Sequence, residues 1–293
     1  MKALYKFIAD SNVAPFLLRG LIKFTPIGEL NDPSELMPHV IPDEVRQSLE
    51  RLRRDGYTQE DMVNLRRQEC LFQRLAPKFQ VIRLPATAEE ATALIRSPFY
   101  DQLSTLERRL SETALEISSK VGLFCLSLRY ESLPMWAHYA SNATGLVVEF
   151  VDLDTVFRGD NTGVLAQPIA IQYQRDRLSV TFDTSSHAAL FFAKFADWSY
   201  EQEVRIVLPL ADCRKESRGN HSLYICEIPR RCIARLILGW NMSNEARKAI
   251  QMQVQELNPE VELVNARVVH GRVELEPFAP VEPVRRISIS EAH

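Results

Sequence analysis

Apolar and polar residues at the start of the chain are arranged in a way that predicts two strands and one helix. Leu4 to Ile8 and Leu21 to Phe24 are short apolar runs of the kind that form strands. Between them, the residues from about Ser11 to Leu18 favour a helix, because Ser11 and Asn12 are both suitable N-caps and Gly20 is a good C-terminal stop.

Helical spacing replaces this pattern between residues 43 and 120. In 43–76 the apolar residues recur three and four positions apart, and Gly56 is the one glycine, so we expect two amphipathic helices that break there. A shorter helix is expected at 86–95 and a longer one at about 100–120. The chain therefore carries a helical insert at about 43–120.

Strand-like runs dominate the remaining sequence as far as residue 276. Two helices interrupt them, one at about 186–196 and one at 244–257, and Ser243 is the expected N-cap of the second. His270 and Gly271 separate the last two runs and indicate a tight hairpin turn. The expected strands cover residues 122–128, 145–150, 164–173, 201–210, 222–228, 233–238, 261–269 and 272–276.

The order of these elements favours an α+β fold over a doubly wound parallel sheet. Helices and strands do not alternate regularly, so mostly antiparallel sheets are expected. We expect one domain over residues 1–276, enlarged by the helical insert, and a flexible C-terminal tail at 277–293.

Composition and charge narrow the range of functions. The 293 residues include 35 basic and 38 acidic side chains, and the formal charge of −3 argues against a surface that binds nucleic acid all over. There is no run of about 18 apolar residues, so neither a membrane span nor a membrane partner is expected. The five cysteines lack the spacing of a zinc site, which indicates free thiols in a cytoplasmic protein and no bound metal.

Two clusters of polar and aromatic residues break the ordinary rules of packing and are candidate sites. Asn31 and Asp32 lie in an Asn-Asp-Pro turn that exposes both side chains, although a simple turn with helix capping explains them too. In the second cluster, Trp136 and Tyr139 share one side of a helical turn while His138 projects elsewhere. The two aromatic rings either stack on a planar ligand or close the end of a core.

The third and most informative cluster lies in residues 194–206. A strand from Glu201 onward places Glu201, Glu203 and Arg205 on one face. One interpretation is a solvated strand face. The other is a paired-carboxylate site, in which two carboxyl groups with different pKa values divide the work of accepting a proton and holding a hydroxyl. Arg205 then orients a carboxylate or binds a phosphate through two N–H groups.

These residues occur together in an order that resembles a widespread bacterial domain-of-unknown-function family. The order is Leu4-Tyr5-Lys6-Phe7, Asn31-Asp32-Pro33 with Glu35, Trp136-Ala137-His138-Tyr139 with Gly145, Lys194 with Trp198 to Arg205, and Ile237-Leu238-Gly239. The resemblance covers about residues 4–265. Ser34 departs from it, because the family usually has a bulky apolar residue there. The family itself implies no activity.

A second resemblance, to the ADP-ribosyltransferases, does imply an activity. Those enzymes combine a first strand bearing a polar residue, a central aromatic segment and a late strand with Glu-x-Glu, and they bind NAD in a cleft between two small sheets. The resemblance implies that Glu203 holds a hydroxyl of the nicotinamide ribose and that Glu201 assists the acceptor. It also implies an ADP-ribosyltransferase-like cleft between mostly antiparallel sheets.

The same resemblance implies that NAD is the substrate and that no metal is needed. Tyr5 or Lys6 matches the first-strand residue, and Trp136 or Tyr139 matches the aromatic ring that stacks on nicotinamide. ADP-ribose would pass to a protein, to a nucleic acid or to water, and the implied setting is a toxin or a phage-defence effector. The residues implied to bind NAD are Tyr5, Lys6, Asn31, Asp32, Trp136, His138, Tyr139, Lys194 and Arg205.

Two other functions stay open from the residues alone. In a metal-dependent nuclease or phosphoesterase, carboxylates converge on magnesium and Lys194 lies near the scissile phosphate. The carboxylates available for this are Asp32, Glu35, Glu201 and Glu203. In a binding module without chemistry, the helical insert docks a partner. That alternative predicts no ligand-sized cleft and a contiguous apolar patch on the helices at 43–76.

Overall fold

The chain divides into two compact units. A computed structural model describes residues 3–31, 41–75, 85–98, 108, 111–112, 115–160, 165–175, 190–218 and 221–278. The first unit is formed by Met1–Leu4, Leu21–Leu128 and Asp152–Ile228. The second unit is formed by Tyr5–Gly20, Arg129–Val151 and Pro229–His293.

Strands pair mostly in antiparallel fashion, with helices between them, so the predicted α+β class is confirmed. In chain order the strands are β1 (Leu4–Ile8), β2 (Leu21–Pro26), β3 (Val121–Ser127), β4 (Leu146–Phe150), β5 (Ile169–Ala170), β6 (Gln172–Gln174), β7 (Ala193–Phe195), β8 (Glu203–Pro209), β9 (Arg214–Arg218), β10 (His221–Glu227), β11 (Ile233–Leu238), β12 (Glu262–Val269) and β13 (Arg272–Pro277).

The sheet of the first unit has the order β9-β10-β2-β3-β8-β5, and neighbouring strands run antiparallel. Every residue of β8 is buried. A strand that is covered on both faces usually reads as a continuous apolar run, yet β8 contains Glu203 and Arg205. The sheet packs on a hydrophobic cluster of Leu71, Leu75, Ile117, Val121, Leu123, Leu165, Ile171, Phe191, Phe192 and Val207.

Helices occupy the predicted insert. In chain order the α-helices of the described residues that we label are α1 (Ala14–Leu18), α2 (Pro42–Asp55), α3 (Gln59–Leu75), α4 (Ala88–Ile95), α5 (Leu133–Tyr139), α6 (Leu153–Val156) and α7 (Asn244–Leu257). Of these, α2, α3 and α4 are the helices of the insert. Residues 115–118 are also helical, while most of the long helix predicted at 100–120 lies outside the described residues. In the part of the chain that the structure describes, no helix is long and apolar enough to cross a membrane.

The break between α2 and α3 falls at Gly56, as predicted. Gly56 has a φ of 78°, a left-handed conformation that glycine adopts without a steric penalty, and its N–H donates to the carbonyl of Leu52. The apolar stripe of α2 is buried and packs against Ile95 of α4 through Leu49 and Leu52. The helical period of the sequence thus identified the correct face of α2.

The sheet of the second unit has the order β13-β12-β11-β4-β1. β11 and β12 are parallel and are joined by α7, which makes a β-α-β crossover. The predicted hairpin between β12 and β13 is confirmed. Its two turn residues, His270 and Gly271, have φ values of 50° and 76°, which suit a tight two-residue turn.

Ser243 caps α7, as the sequence predicts, and the cap provides a test of this end of the helix. The side chain of Ser243 accepts a hydrogen bond of 3.2 Å from the N–H of Ala246. We expect Ser243→Ala to lower the free energy of unfolding by about 1 kcal/mol, because that N–H loses its partner. Urea denaturation measures the change. Ser243→Asn is the matched control and should unfold within a few tenths of a kcal/mol of the native chain, since Asn is an equally good cap.

The segment around residue 190 differs from the prediction. The sequence predicts a helix at 186–196, but the described part is a 3-10 turn at Leu190–Phe192 followed by strand β7. β7 pairs in parallel with β6, and this pairing overrides a weak local helical preference. Residues 186–189 lie outside the described residues.

Two further strands depart from the predicted pattern. The run at 164–173 forms the short strands β5 and β6 in place of one strand, and residue 164 lies outside the described residues. β9 has no counterpart in the prediction, because Arg214–Arg218 is a run of polar residues without apolar alternation. It forms by pairing with β10, a long-range interaction that its own sequence does not encode.

Candidate functional site

The start of β8 carries two charged residues on one buried face. Glu203 and Arg205 lie two residues apart, so both side chains point to the same side of the strand, as predicted. Arg205 is fully buried and Glu203 is 4 % exposed. The interpretation of this segment as a solvated strand face is therefore wrong.

Glu201 reaches the same place by a different route from the predicted one. The strand was expected to begin at Glu201, but residues Ala196–Glu201 form a 3-10 helix, and Gln202 adopts a left-handed φ of 44° before β8 begins. The hydroxyl of Ser127 donates a 2.6 Å hydrogen bond to the carbonyl of Glu201 and fixes this turn against β3. Glu201 is 3 % exposed.

Four buried charges meet at this point and form what we call the buried ion cluster: Lys194, Glu201, Glu203 and Arg205. The ammonium of Lys194 lies 2.7 Å from Oε2 of Glu201 and 3.1 Å from Oε2 of Glu203. Arg205 donates to Glu203 through two atoms, from Nε to Oε1 at 2.6 Å and from Nη2 to Oε2 at 2.9 Å. Two cations and two carboxylates cancel, so the cluster as a whole is neutral.

Backbone groups hold the cluster in position. Nη1 of Arg205 donates to the carbonyl of Phe191 at 3.0 Å. The guanidinium is therefore held by Glu203 on one side and by this carbonyl on the other. The backbone N–H of Glu203 donates to the hydroxyl of Tyr173 at 2.7 Å. Because burial raises the pKa of Tyr173 to about 12, this hydroxyl stays protonated at any physiological pH.

Burial and the neighbouring charges shift the pKa of Lys194 in opposite directions. Burial alone lowers the pKa of a lysine, but the attraction of Glu203 and Glu201 outweighs it and raises the pKa of Lys194 above its ordinary value. The side chain therefore stays a cation. Burial raises the pKa of Glu203, and Lys194 and the Cys125 thiol oppose that shift. We assign Glu203 as a carboxylate at neutral pH, because Arg205 donates to both of its oxygens.

Two aromatic residues flank the cluster and were not among the predicted site residues. The ammonium of Lys194 lies 5.0 Å from the centroid of the Trp198 ring, within the range of a cation–π contact. The rings of Trp198 and Tyr200 are 6.1 Å apart, and both side chains are half-buried. These rings supply a partly exposed aromatic surface next to the carboxylates.

Trp136 lies in the core of the second unit. It is fully buried, with its ring centroid 5.5 Å from Phe7 and 5.2 Å from Trp240. Its indole N–H donates to the carbonyl of Tyr130 at 2.7 Å. The alternative in which this ring closes the end of a core fits these contacts, and no face of the ring is exposed for stacking on nicotinamide.

The other aromatic and basic candidates of the second unit lie nearer to solvent. His138 is exposed and its ring contacts Tyr139, which is half-buried, at 6.3 Å. Tyr5 packs edge-on against Tyr130 at 5.4 Å, and burial, followed by the charge of Glu149, raises the pKa of Tyr5 to about 12. Lys6 is half-buried on β1.

The predicted NAD-binding residues thus belong to two units. Asn31 is exposed in the first unit, and Asp32 lies outside the described residues. Of the predicted set, the structure brings together Lys194, Glu201, Glu203 and Arg205. Tyr5, Lys6, Trp136, His138 and Tyr139 all belong to the second unit.

The nuclease interpretation requires carboxylates that converge on a metal ion. Among the described residues, no group of three or more His, Cys, Asp and Glu side chains is placed to hold a metal ion. Asp32 and Glu35 lie outside the described residues, so their part in a magnesium site stays a prediction.

Comparison with known proteins adds no assignment to this geometry. No family model, no curated protein and no solved structure matches the chain. The resemblances drawn from the sequence, to the bacterial family and to the ADP-ribosyltransferases, therefore stay predictions. The chemistry of the site has to be argued from its own residues.

Proposed function

We propose that this protein is an enzyme that uses NAD and cleaves the bond between nicotinamide and ribose. ADP-ribose then passes to a macromolecule or to water. One observation carries the proposal: two buried carboxylates, those of Glu201 and Glu203, share a single ammonium beside the half-buried rings of Trp198 and Tyr200. The ADP-ribosyltransferase resemblance of the sequence agrees with this chemistry.

The chemistry requires a rigid negative charge close to the ribose. When nicotinamide leaves, positive charge develops on the ribose ring, as in the hydrolysis of a glycoside. A carboxylate that accepts a hydrogen bond from a ribose hydroxyl stabilises this charge. Glu203 suits that role, because Arg205 keeps it ionised and prevents it from turning away. Arg205 is accordingly a positioning residue, and its donors are spent on Glu203 and Phe191 instead of a pyrophosphate.

Lys194 marks the place that the substrate hydroxyl would take. A carboxylate accepts about four hydrogen bonds, and Arg205 supplies two of those that Glu203 receives. The contact from Lys194 to Glu203 is 3.1 Å long, whereas its contact to Glu201 is 2.7 Å. We expect a ribose hydroxyl to replace the longer contact while Lys194 stays with Glu201.

The stacking role passes from Trp136 to the aromatic pair beside the cluster. Trp136 has no exposed face, but Trp198 and Tyr200 are half-buried and adjoin Lys194. A planar ring that stacks there would lie near the carboxylates of the same unit. Glu201, which Lys194 holds in place, would then act on the acceptor, which is the role that the resemblance assigns to the first glutamate of the pair.

Glu203→Gln tests this assignment. The substitution keeps the shape of the side chain and removes its charge, so we expect kcat for nicotinamide release from NAD to fall by about 10²–10³-fold. Chromatography of nicotinamide measures the rate. Glu227→Gln is the matched control: Glu227 is an exposed glutamate at the end of β10 in the same unit, and its replacement should leave the rate unchanged.

Stability has to be separated from chemistry in this test, because Glu203→Gln also unbalances the buried ion cluster. Lys194→Met changes the net charge of the cluster in the opposite sense, because it removes a positive charge, and it leaves both carboxylates in place. Rates are therefore normalised to the folded fraction, which circular dichroism gives. If folded Glu203→Gln protein turns over NAD as fast as the native chain, Glu203 is not the catalytic carboxylate.

A second candidate function is a binding module in which the cluster only holds the fold together. The observation that favours it is that every charge of the cluster is paired and nearly all of their surface is buried. This alternative expects no nicotinamide release from the native chain, and it expects variants of the cluster to change stability alone. The same assay therefore decides between the two.

A further inference from the structure

Two thiols lie side by side at the base of the hairpin formed by β9 and β10. The sulfur atoms of Cys213 and Cys226 are 3.3 Å apart. The register of the hairpin explains why they meet, since Ile225 pairs with Arg214 and one further step places Cys226 opposite Cys213. The chain is not cross-linked there, and both residues are free cysteines.

The surroundings of the pair allow a small reagent to reach it. Cys213 is buried in the fold but lines a cavity of about 630 Å³, whose wall also includes Lys120, Lys215 and Tyr224. Lys215 lies 5.9 Å from the centroid of the Tyr224 ring. Cys226 is half-buried. A molecule of the size of a peroxide therefore has a path to the sulfurs without unfolding the hairpin.

The two thiols are not equivalent. The hydrogen bond with Cys213 lowers the pKa of Cys226, although burial opposes the shift. The same hydrogen bond, together with burial, raises the pKa of Cys213. Because the thiolate is the reactive form of cysteine, Cys226 is the better nucleophile and Cys213 is placed to react second.

We propose that Cys213 and Cys226 form an oxidation site at which a peroxide converts two thiols into an intramolecular disulfide. The thiolate of Cys226 attacks one peroxide oxygen, the O–O bond breaks, and Cys226 becomes a sulfenic acid; the hydroxide that leaves takes up the proton that the Cys226 thiol gave up and becomes water. The sulfur of Cys213 then attacks the sulfur of Cys226, the S–O bond breaks, the departing hydroxyl leaves as a second water with the proton of the Cys213 thiol, and the S–S bond forms. The two thiols lose two electrons and two protons in total, and the peroxide is reduced to water.

Little movement is needed to form the bond. The sulfurs must approach from 3.3 Å to about 2.05 Å, which side-chain rotation can supply in a pair that already lies face to face. The disulfide would join the end of β10 to the residue that precedes β9. It would also fix Cys213 in the wall of the cavity, so that oxidation changes the chemistry of this wall.

To test this, the reduced 293-residue chain is treated with hydrogen peroxide and its thiols are mapped. Trypsin places Cys213 in the peptide 206–214 and Cys226 in the peptide 219–230, so a disulfide joins two peptides that are otherwise separate. We expect this joined peptide to appear, the intact mass to fall by two hydrogen atoms, and dithiothreitol to reverse both changes. Alkylation of Cys213 and Cys226 should fall on the order of tenfold, while that of Cys70, Cys125 and Cys232 is unchanged.

Variants identify the order of the two steps. In Cys213→Ser the second thiol is missing, so Cys226 should accumulate as a sulfenic acid that dimedone labels. In Cys226→Ser neither the joined peptide nor this label should form at residue 213. The proposal is overturned if peroxide leaves both thiols of the native protein alkylable, or if the product is a disulfide between two chains on a non-reducing gel.

Discussion

Replacing Arg205 with Met is expected to lower the free energy of unfolding by about 3–5 kcal/mol. Arg205 is fully buried and makes both of the paired contacts to Glu203, so its loss leaves a buried carboxylate with an uncompensated charge. Two carboxylates would then face the single cation of Lys194. Denaturation in guanidinium chloride, followed by circular dichroism, measures the loss.

A double replacement tests whether the lost stability comes from the unpaired charge of Glu203. When Glu203 becomes Leu together with Arg205→Met, the ion pair of Lys194 and Glu201 is left neutral, and most of the lost stability should return. Arg214→Met provides the surface control, since the pair of Arg214 and Glu216 is largely exposed and its loss should cost about 1 kcal/mol or less. A loss for Arg205→Met as small as that of the control would contradict the buried pairing of Arg205 with Glu203.

The second large effect is expected at Gly145, where the chain has no room for a side chain. A Cβ atom there would lie 2.0 Å from the carbonyl oxygen of Ile8 and 3.1 Å from that of Ala140. Gly145 also donates its N–H to Ala140 and accepts from the N–H of Gly239, so the backbone is held from both sides. We expect Gly145→Ala to lower the free energy of unfolding by about 3 kcal/mol or more.

Thermal and urea unfolding of Gly145→Ala measure this loss of stability. Gly28→Ala is the matched control, because a Cβ atom at Gly28 meets nothing within 4 Å, and the same substitution should change stability by about 1 kcal/mol or less. Equal losses in the two variants would contradict the close approach of Ile8 to Gly145. Such a result would also remove the physical reason for a glycine that the sequence resemblance singles out.

Local patterns in the sequence predicted most of the elements, because each pattern has a local physical cause. Helical spacing located α2 and α3, and Gly56 ends α2 since only its backbone takes the required positive φ easily. The hairpin at His270 and Gly271 follows from turn chemistry in the same way. A period of two residues put Glu203 and Arg205 on one face of β8.

Contacts between distant residues could not be predicted from such patterns. The hydroxyl of Tyr173 reaches the N–H of Glu203 from 30 residues away, and Ser127 reaches Glu201 from 74 residues away. Nothing in the sequence around Ser127 indicates that partner. Trp136 was ambiguous for a related reason, since an aromatic residue on a short helix looks the same whether it binds a ligand or closes a core.

The sequence correctly pairs the carboxylates of Glu201 and Glu203, although the strand that it predicts at Glu201 is wrong. The sequence predicts one continuous strand from Glu201, whereas a 3-10 helix and a left-handed Gln202 precede β8. The two carboxylates still converge, because Lys194 draws them together through charge. Trp198 and Tyr200 lie inside the predicted cluster at 194–206, but their sequence does not reveal the contact of Trp198 with Lys194 that gives them a role.

In the proposed reaction, Glu203 accepts a hydrogen bond from a hydroxyl of the nicotinamide ribose as nicotinamide leaves. The most direct measurement compares NAD with an analogue that lacks this hydroxyl, in the native chain and in folded Glu203→Gln protein. We expect the native chain to cleave NAD about 10²–10³-fold faster than the analogue, and the variant to cleave both at the same low rate. Equal discrimination between the two substrates by both proteins would contradict the contact, and no cleavage of NAD by the native chain would contradict the proposed function.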